Sequence, residues 1–175
     1  MTIARTARFR PAAVLRGVTA ALSLAALAAC SADANPSRSV ATPVEVSARG
    51  YDQSDFRCLR EAIYFEAGGI GKGGGRAVAE VILNRVESPK FPDSICGVIS
   101  DRCQFSYRCD GRPETFAEPR KLAMAEKVAR EVLTNPGEEL TNGALFFHAA
   151  SMPPGWFNTL RRTASVGGNI FYKPR

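Results

Sequence analysis

Glu66 is the residue of this sequence best placed to do chemistry. It follows Ala62-Ile63-Tyr64-Phe65 and precedes Ala67, Gly68 and Gly69. Aromatic and apolar neighbours keep water from a carboxyl and favour its neutral form, which raises its pKa. Glycines beside it let a bulky substrate approach the backbone. A protonated carboxyl next to open space is what general-acid cleavage of a glycosidic bond needs. The same spacing also fits a solvated glutamate at a helix C-terminus.

A glycosidase that uses two carboxylates needs the second several ångströms from the first. Glu61, Glu80 and Asp110 are the candidates. Glu61 lies five residues before Glu66, so the two point in different directions on a helix, and Glu61 is expected in solvent. Glu80, in mid-helix, is expected in a surface ion pair. Asp110 stands before Gly111 and reads as a turn residue. No second catalytic acid is assigned. His148 lacks a serine, cysteine or metal partner in the sequence and reads as a hydrogen-bonded structural residue. Gly71-Lys72-Gly73-Gly74-Gly75 is basic and flexible, yet no Lys-Ser/Thr pair follows it and no apolar strand precedes it, so it is no phosphate loop.

Helices must position Glu66. Asp52 or Ser54 can cap a first helix, with Phe56, Leu59, Ile63 and Ala67 on one face. The glycines from 68 to 75 are expected to break it. A second helix is predicted over 76–87, ended by Ser88-Pro89. Ala77, Val78, Val81, Ile82 and Arg85 share one side, and Asn84 and Arg85 are placed to brace the acid-bearing helix. A helical turn is expected from Phe91 through Ser100, then a loop between Cys103 and Cys109. A third long helix starts near Pro119, a good first-turn residue, and stops at Asn135-Pro136-Gly137. After an apolar run, Ala144 to Ala149, the period changes. Leu160–Val166 and Asn169–Tyr172 flank Gly167-Gly168 as a hairpin. Helices first and strands last predict an α+β fold.

The N-terminal segment belongs to export. Arg5, Arg8, Arg10 and Arg16 precede an apolar run from Val18 to Ala29 that is too short to span a bilayer. The run ends in Leu27-Ala28-Ala29-Cys30, which resembles a bacterial lipoprotein signal and implies lipidation of Cys30. Cleavage near Ala34 is the alternative and would give a soluble periplasmic protein. Residues 1–29 are thus read as signal, 30–50 as a disordered tether and 51–175 as the folded domain. The chain carries 23 basic and 17 acidic residues, but four of the arginines sit in the signal. The remainder, 19 against 17, gives no reason to expect nucleic-acid binding. Cys58, Cys96, Cys103 and Cys109 form an even set suited to an oxidising compartment. Three pairings are open. Cys58–Cys96 with Cys103–Cys109 is favoured, because the second closes a small local loop and the first staples two elements. Their spacing does not suit a zinc site, and neither metal nor cofactor is expected.

One family resemblance runs through the domain. Tyr64-Phe65-Glu66-Ala67, Ala77 to Val86, Ser88-Pro89-Lys90-Phe91-Pro92, Ile95 to Ile99, Cys103-Gln104-Phe105-Ser106 and Cys109-Asp110-Gly111 resemble the spore cortex-lytic, SleB-like cell-wall hydrolases. Phe147-His148-Ala149, Pro154-Gly155-Trp156 and Ile170-Phe171-Tyr172 continue the likeness in order. The resemblance implies a mainly helical fold like that of lysozyme and lytic transglycosylases, with a small C-terminal antiparallel sheet. It implies peptidoglycan as substrate and Glu66 as general acid and then base, cleaving between N-acetylmuramic acid and N-acetylglucosamine. In a lytic transglycosylase the sugar's own C6 hydroxyl closes a 1,6-anhydro ring, so one carboxylate suffices. Gln104, Ser106, Tyr107 and Trp156 are the candidate sugar contacts. A monomer is expected, held by its lipid at the periplasmic face of the outer membrane, because Ser31 follows Cys30. The family continues its glutamate segment Glu-Ala-Arg-Gly-Glu, whereas Gly68 and Ile70 stand at the arginine and second-acid positions here. Around Gly75 a glutamine often found in the family is also replaced. These departures favour, as the alternative, a non-catalytic wall-binding lipoprotein. A domain that binds another envelope protein through the 104–108 loop is a third reading.

Overall fold

The computed structural model describes residues 50–152 and 154–175, and the expected signal, Cys30 and nearly all of the tether lie outside them. Four helices carry the core: α1 (Gln53–Ala67), α2 (Gly71–Val86), α3 (Ile95–Ser100) and α4 (Pro119–Thr134). Strands β1 (Phe146–Ala149), β2 (Arg161–Val166) and β3 (Asn169–Lys173) form one antiparallel sheet in the order β1-β3-β2. This is the α+β arrangement expected from the change of period along the chain.

Asp52, not Ser54, caps α1. Its carboxylate accepts from the Ser54 and Asp55 N–H groups at 2.6 and 3.0 Å, and Asp55 returns the bond to the Asp52 N–H at 3.2 Å. Leu59 and Ile63 of α1, Val78 and Ile82 of α2, and Ala129 and Leu133 of α4 are wholly buried together. Each large side chain so removed from water contributes about 1.5–3 kcal/mol. Across helices α1 and α4, Arg60 pairs with Glu126 at 3.2 Å. The Tyr64 hydroxyl accepts the Glu118 N–H at 3.0 Å, which seats the start of α4 on the last turn of α1.

The glycine run does not break the helices where expected. Only Gly68 to Ile70 separate them, and α2 begins at Gly71. Close packing explains the difference. A Cβ at Gly74 would lie 2.5 Å from the Ile70 side chain, and one at Gly167 would lie 2.8 Å from the Gly74 Cα. The missing side chains let the hairpin turn and Ile70 rest on the first turn of α2. The helix is thereby buried on two sides, with Ala77 and Val81 packed against Ala144 and Phe171 of the sheet region.

The β2–β3 hairpin turns at Gly167 and Gly168, with φ of 60° and 83°, a conformation glycine adopts without strain. β2 starts at Arg161 rather than Leu160, and its register slips between Arg162 and Ala164. Cys58 is bonded to Cys96 and Cys103 to Cys109, the favoured pairing. Within the second bridge lies a 3₁₀ turn, Ser106–Cys109, where an irregular loop was expected. Helix α3 is shorter than the turn predicted from Phe91, because Ser94 caps it by accepting the Gly97 N–H at 3.2 Å. No helix among the described residues is long and apolar enough to cross a membrane.

Candidate active site

Glu66 occupies the last turn of α1, partly buried. Aromatic rings hold that turn in place. Phe65 stacks on Tyr107 with centroids 4.5 Å apart, and Tyr64 meets Phe116 edge-on at 5.1 Å. Among the described residues the Glu66 carboxyl makes no side-chain hydrogen bond and no ion pair. Burial raises its pKa above the ordinary carboxylate value, opposed by the positive charge of Arg85.

Arg85 lies on α2 and is 5% exposed. Its Nε donates to the Leu145 carbonyl at 2.8 Å, and its guanidinium lies 5.0, 5.6 and 5.8 Å from the rings of Phe91, Phe105 and Phe146. Neither Arg85 nor Asn84 braces α1 by a hydrogen bond. Asn84 donates instead to Glu139 at 2.8 Å and to the Ala144 carbonyl at 3.1 Å, so both tie α2 to the segment entering β1.

Tyr107 is buried beside Glu66. Burial raises its pKa first, with the charge of Glu61 adding to it, so the phenol stays protonated. Gln104 and Ser106 are exposed on the same disulfide-closed loop, and Gln104 donates to Asp101 at 2.9 Å. Phe65, Tyr107, Asp110, Arg112, Glu114 and Thr115 help to line a hollow of about 260 Å³. Trp156 is 41% exposed, so it is not core. Its ring lies 6.1 Å from Phe146, which also faces Arg85, and 5.8 Å from His148.

Two expectations about carboxylates fail. Glu61 is not solvated: its side chain is 19% exposed and pairs with Arg108 at 3.1 Å. Glu80 is not on the surface but 6% exposed, accepting from Arg76 at 3.0 Å and from the Leu140 and Thr141 N–H groups at 2.9 and 3.1 Å. Asp110 is a turn residue as expected, its carboxylate accepting the Arg112 N–H at 2.9 Å. His148 is structural in its bonding. Nδ1 donates to the Ala149 carbonyl at 2.8 Å, which leaves Nε2 to accept from the Tyr172 hydroxyl at 3.0 Å.

The two departures after Glu66 also have physical consequences. Ile70 packs on the core over Gly74, a place unsuited to a charge. At Gly68 a Cβ would come within 2.6 Å of the Tyr64 carbonyl and 2.7 Å of the Lys121 stem. The aromatic cage of Arg85 was missed in the sequence. Its one signal was an arginine on the apolar side of α2.

Glu66 thus has no side-chain partner among the described residues and stands next to Phe65 and beside Tyr107, whose rings stack. Residues 69–172 match the family described as Cell Wall Hydrolase, and the chain belongs to that family. Glu66 lies just before the matched span. The spore cortex-lytic enzyme of Oceanobacillus iheyensis is 34% identical over 132 residues, covering 75% of this chain and 46% of that protein. The one from Bacillus subtilis is 31% identical over 122 residues, covering 70% of this chain and 38% of that protein. The chain thus spans less than half the length of these relatives. The catalytic domain of the germination-specific lytic transglycosylase SleB from Bacillus anthracis superposes with a TM-score of 0.61 at 32% identity, covering 71% of this chain and 98% of that one. The Bacillus cereus SleB catalytic domain gives 0.60 at 30%, covering 74% and 97%. The fold is therefore lysozyme-like α+β, as the resemblance implied.

Proposed function

We propose that this protein cleaves peptidoglycan glycan strands between N-acetylmuramic acid and N-acetylglucosamine, by the lytic transglycosylase route. Glu66 donates its proton to the glycosidic oxygen as the C–O bond breaks. The resulting carboxylate then takes the proton of the muramic C6 hydroxyl as that oxygen closes the 1,6-anhydro ring. The carrying observation is the desolvated Glu66 carboxyl, which accepts no side-chain hydrogen bond among the described residues. The likeness to a lytic transglycosylase catalytic domain supports the same chemistry. Of the other candidate carboxylates, Glu61 is in an ion pair with Arg108, Glu80 accepts from Arg76 and two backbone donors, and Asp110 accepts the Arg112 N–H. That favours a reaction whose nucleophile comes from the sugar.

In this reading 51–175 is the catalytic domain, working as a monomer. Tyr107 and Trp156 offer ring surface to sugars, and Gln104 and Ser106 offer polar contacts. Export by the N-terminal signal and lipidation at Cys30 would hold the domain at the periplasmic face of the outer membrane. Digestion of purified sacculi followed by mass spectrometry tests the function. Soluble muropeptides with anhydro ends are expected. Reducing ends would replace the transglycosylase with a hydrolase. Sacculus binding without product would favour the wall-binding lipoprotein, which the altered positions 68 and 70 keep as the second reading.

A further inference from the structure

We infer that the hollow between the start of β2 and the end of β3 binds the carboxylates of the peptide stems carried by the glycan strand. The inference rests on the reading of peptidoglycan as substrate and assigns a second part of that substrate to a second place on the domain.

Charge is the first observation. Residues 31–140 hold 15 basic and 17 acidic residues, whereas 141–175 hold Arg161, Arg162, Lys173 and Arg175 and no aspartate or glutamate. The near balance of charge beyond residue 30 thus hides a C-terminal segment of one sign. Lys173 is engaged elsewhere, its ammonium donating to the Asn142 carbonyl at 2.8 Å. The three arginines are exposed and, with Leu160 and Pro174, line one hollow of about 620 Å³. Neighbours on a strand ordinarily face opposite ways. Here the register slips directly after Arg162, and such a bulge bends and twists its strand. Arg161 and Arg162 both border the same hollow.

The hollow is short of acceptors. Among the described residues no carboxylate pairs with any of its three guanidinium groups. Arg161 and Arg162 make no side-chain hydrogen bond there either, and Arg175 makes one, its Nη2 donating to the Asn158 carbonyl at 3.2 Å. Arg60, Arg76 and Arg108 of the helical part each pair with a glutamate. A guanidinium offers paired N–H groups that match a carboxylate. The sheet order leaves β2 at an edge, where charged residues deter pairing with another sheet. Charge of either sign does that, and it does not call for three arginines about one concavity.

The hollow adjoins the candidate sugar contact. Asn158 belongs to the 3₁₀ turn Gly155–Thr159, which carries Trp156 and runs into Leu160. Tyr172, the cross-strand partner of Arg162, meets the exposed Trp156 ring at 6.1 Å. A muramic residue bears a peptide on its lactyl group, and that peptide carries free carboxylates. Three extended residues reach about 10 Å. A sugar on Trp156 therefore brings an acidic peptide to the arginines, which hold the strand without touching the bond that breaks.

The test is co-sedimentation of the full chain, carrying Glu66→Gln to prevent cutting, with purified sacculi that are intact or stripped of their peptides by an amidase. Intact sacculi are expected to bind about fivefold more tightly than stripped ones, the upper end for one exposed charge pair. Arg161→Gln together with Arg162→Gln removes that preference, and Arg161→Lys with Arg162→Lys keeps part of it. Both residues are exposed, so the melting temperature should hold and the variants stay comparable. The preference should also shrink as salt rises from about 0.05 to 0.5 M. Equal binding of the two kinds of sacculi by the parent, or a preference that survives loss of both arginines, overturns the inference. Phosphatidylglycerol vesicles form a third arm. Vesicle binding that depends on the arginines, with the sacculus preference unaffected by them, assigns the hollow to lipid headgroups and overturns it too. Failure of the wild type to release fragments from either kind of sacculus would instead overturn the proposed cleavage and leave the binding comparison standing.

Discussion

Glu80 in the middle of α2 and Glu66 at the end of α1 are both drawn out of water, and burial raises the pKa of both. Their surroundings differ. Glu80 accepts from Arg76, Leu140 and Thr141, so both of its oxygens are used and the 138–141 segment is anchored to α2. Glu66 accepts nothing among the described residues and has only the distant charge of Arg85 to offset burial. Buried polar groups are normally satisfied. In the proposed reading the carboxyl without donors is the one that transfers a proton, and the one saturated with donors is a structural fastener. A hollow of about 190 Å³ borders Glu80, Glu87 and Glu139, but hydrogen bonds already engage Glu80 and Glu139, so it is no rival to the Glu66 site.

The largest expected effect that would break this contrast is on turnover. Glu66→Gln removes the transferable proton and is expected to lower muropeptide release about 10²–10⁴-fold. Its melting temperature should hold or rise, since a desolvated acid is lost and no hydrogen bond with it. Glu80→Ala should do the opposite. It leaves the Arg76 Nε and two backbone N–H groups without their acceptor and is expected to cost about 3 kcal/mol in urea unfolding. Turnover per folded molecule should stay near wild type. Smaller still is Gly74→Ala. Its methyl would press on Ile70, with a loss of about 1–2 kcal/mol by thermal melting and no movement of the pH profile.

The pH dependence follows from the same contrast. A raised pKa keeps Glu66 protonated beyond the range of an ordinary carboxylate, so activity should persist above it and fall as pH climbs through the Glu66 pKa. A rate profile that falls already in the ordinary carboxylate range would place the working acid in water.

Much of this was legible in the sequence because it depends on local pattern. The apolar spacing gave α1 and α4, the Gly167-Gly168 pair gave the hairpin, and Pro119 marked the first residue of α4. The start of α2 was not legible. A glycine run reads as a breaker until the packing partners that require it, Ile70 and the hairpin turn, are known. Glu61 and Glu80 were misplaced for a related reason. Their partners lie on other elements, Arg108 on the disulfide-closed turn and Leu140–Thr141 past α4, and helical periodicity carries no information about those contacts. Glu66 itself was found by its aromatic neighbours, but that no described residue donates to its carboxyl follows only from the fold.

The most direct measurement digests purified sacculi with Glu66→Gln and Glu80→Gln side by side, at equal folded concentration, and weighs the soluble fragments by mass spectrometry. The expected result is no release above background from Glu66→Gln and release close to wild type from Glu80→Gln. Wild-type release by Glu66→Gln, or its loss in folded Glu80→Gln alone, would contradict the assignment of the bare carboxyl as the acid.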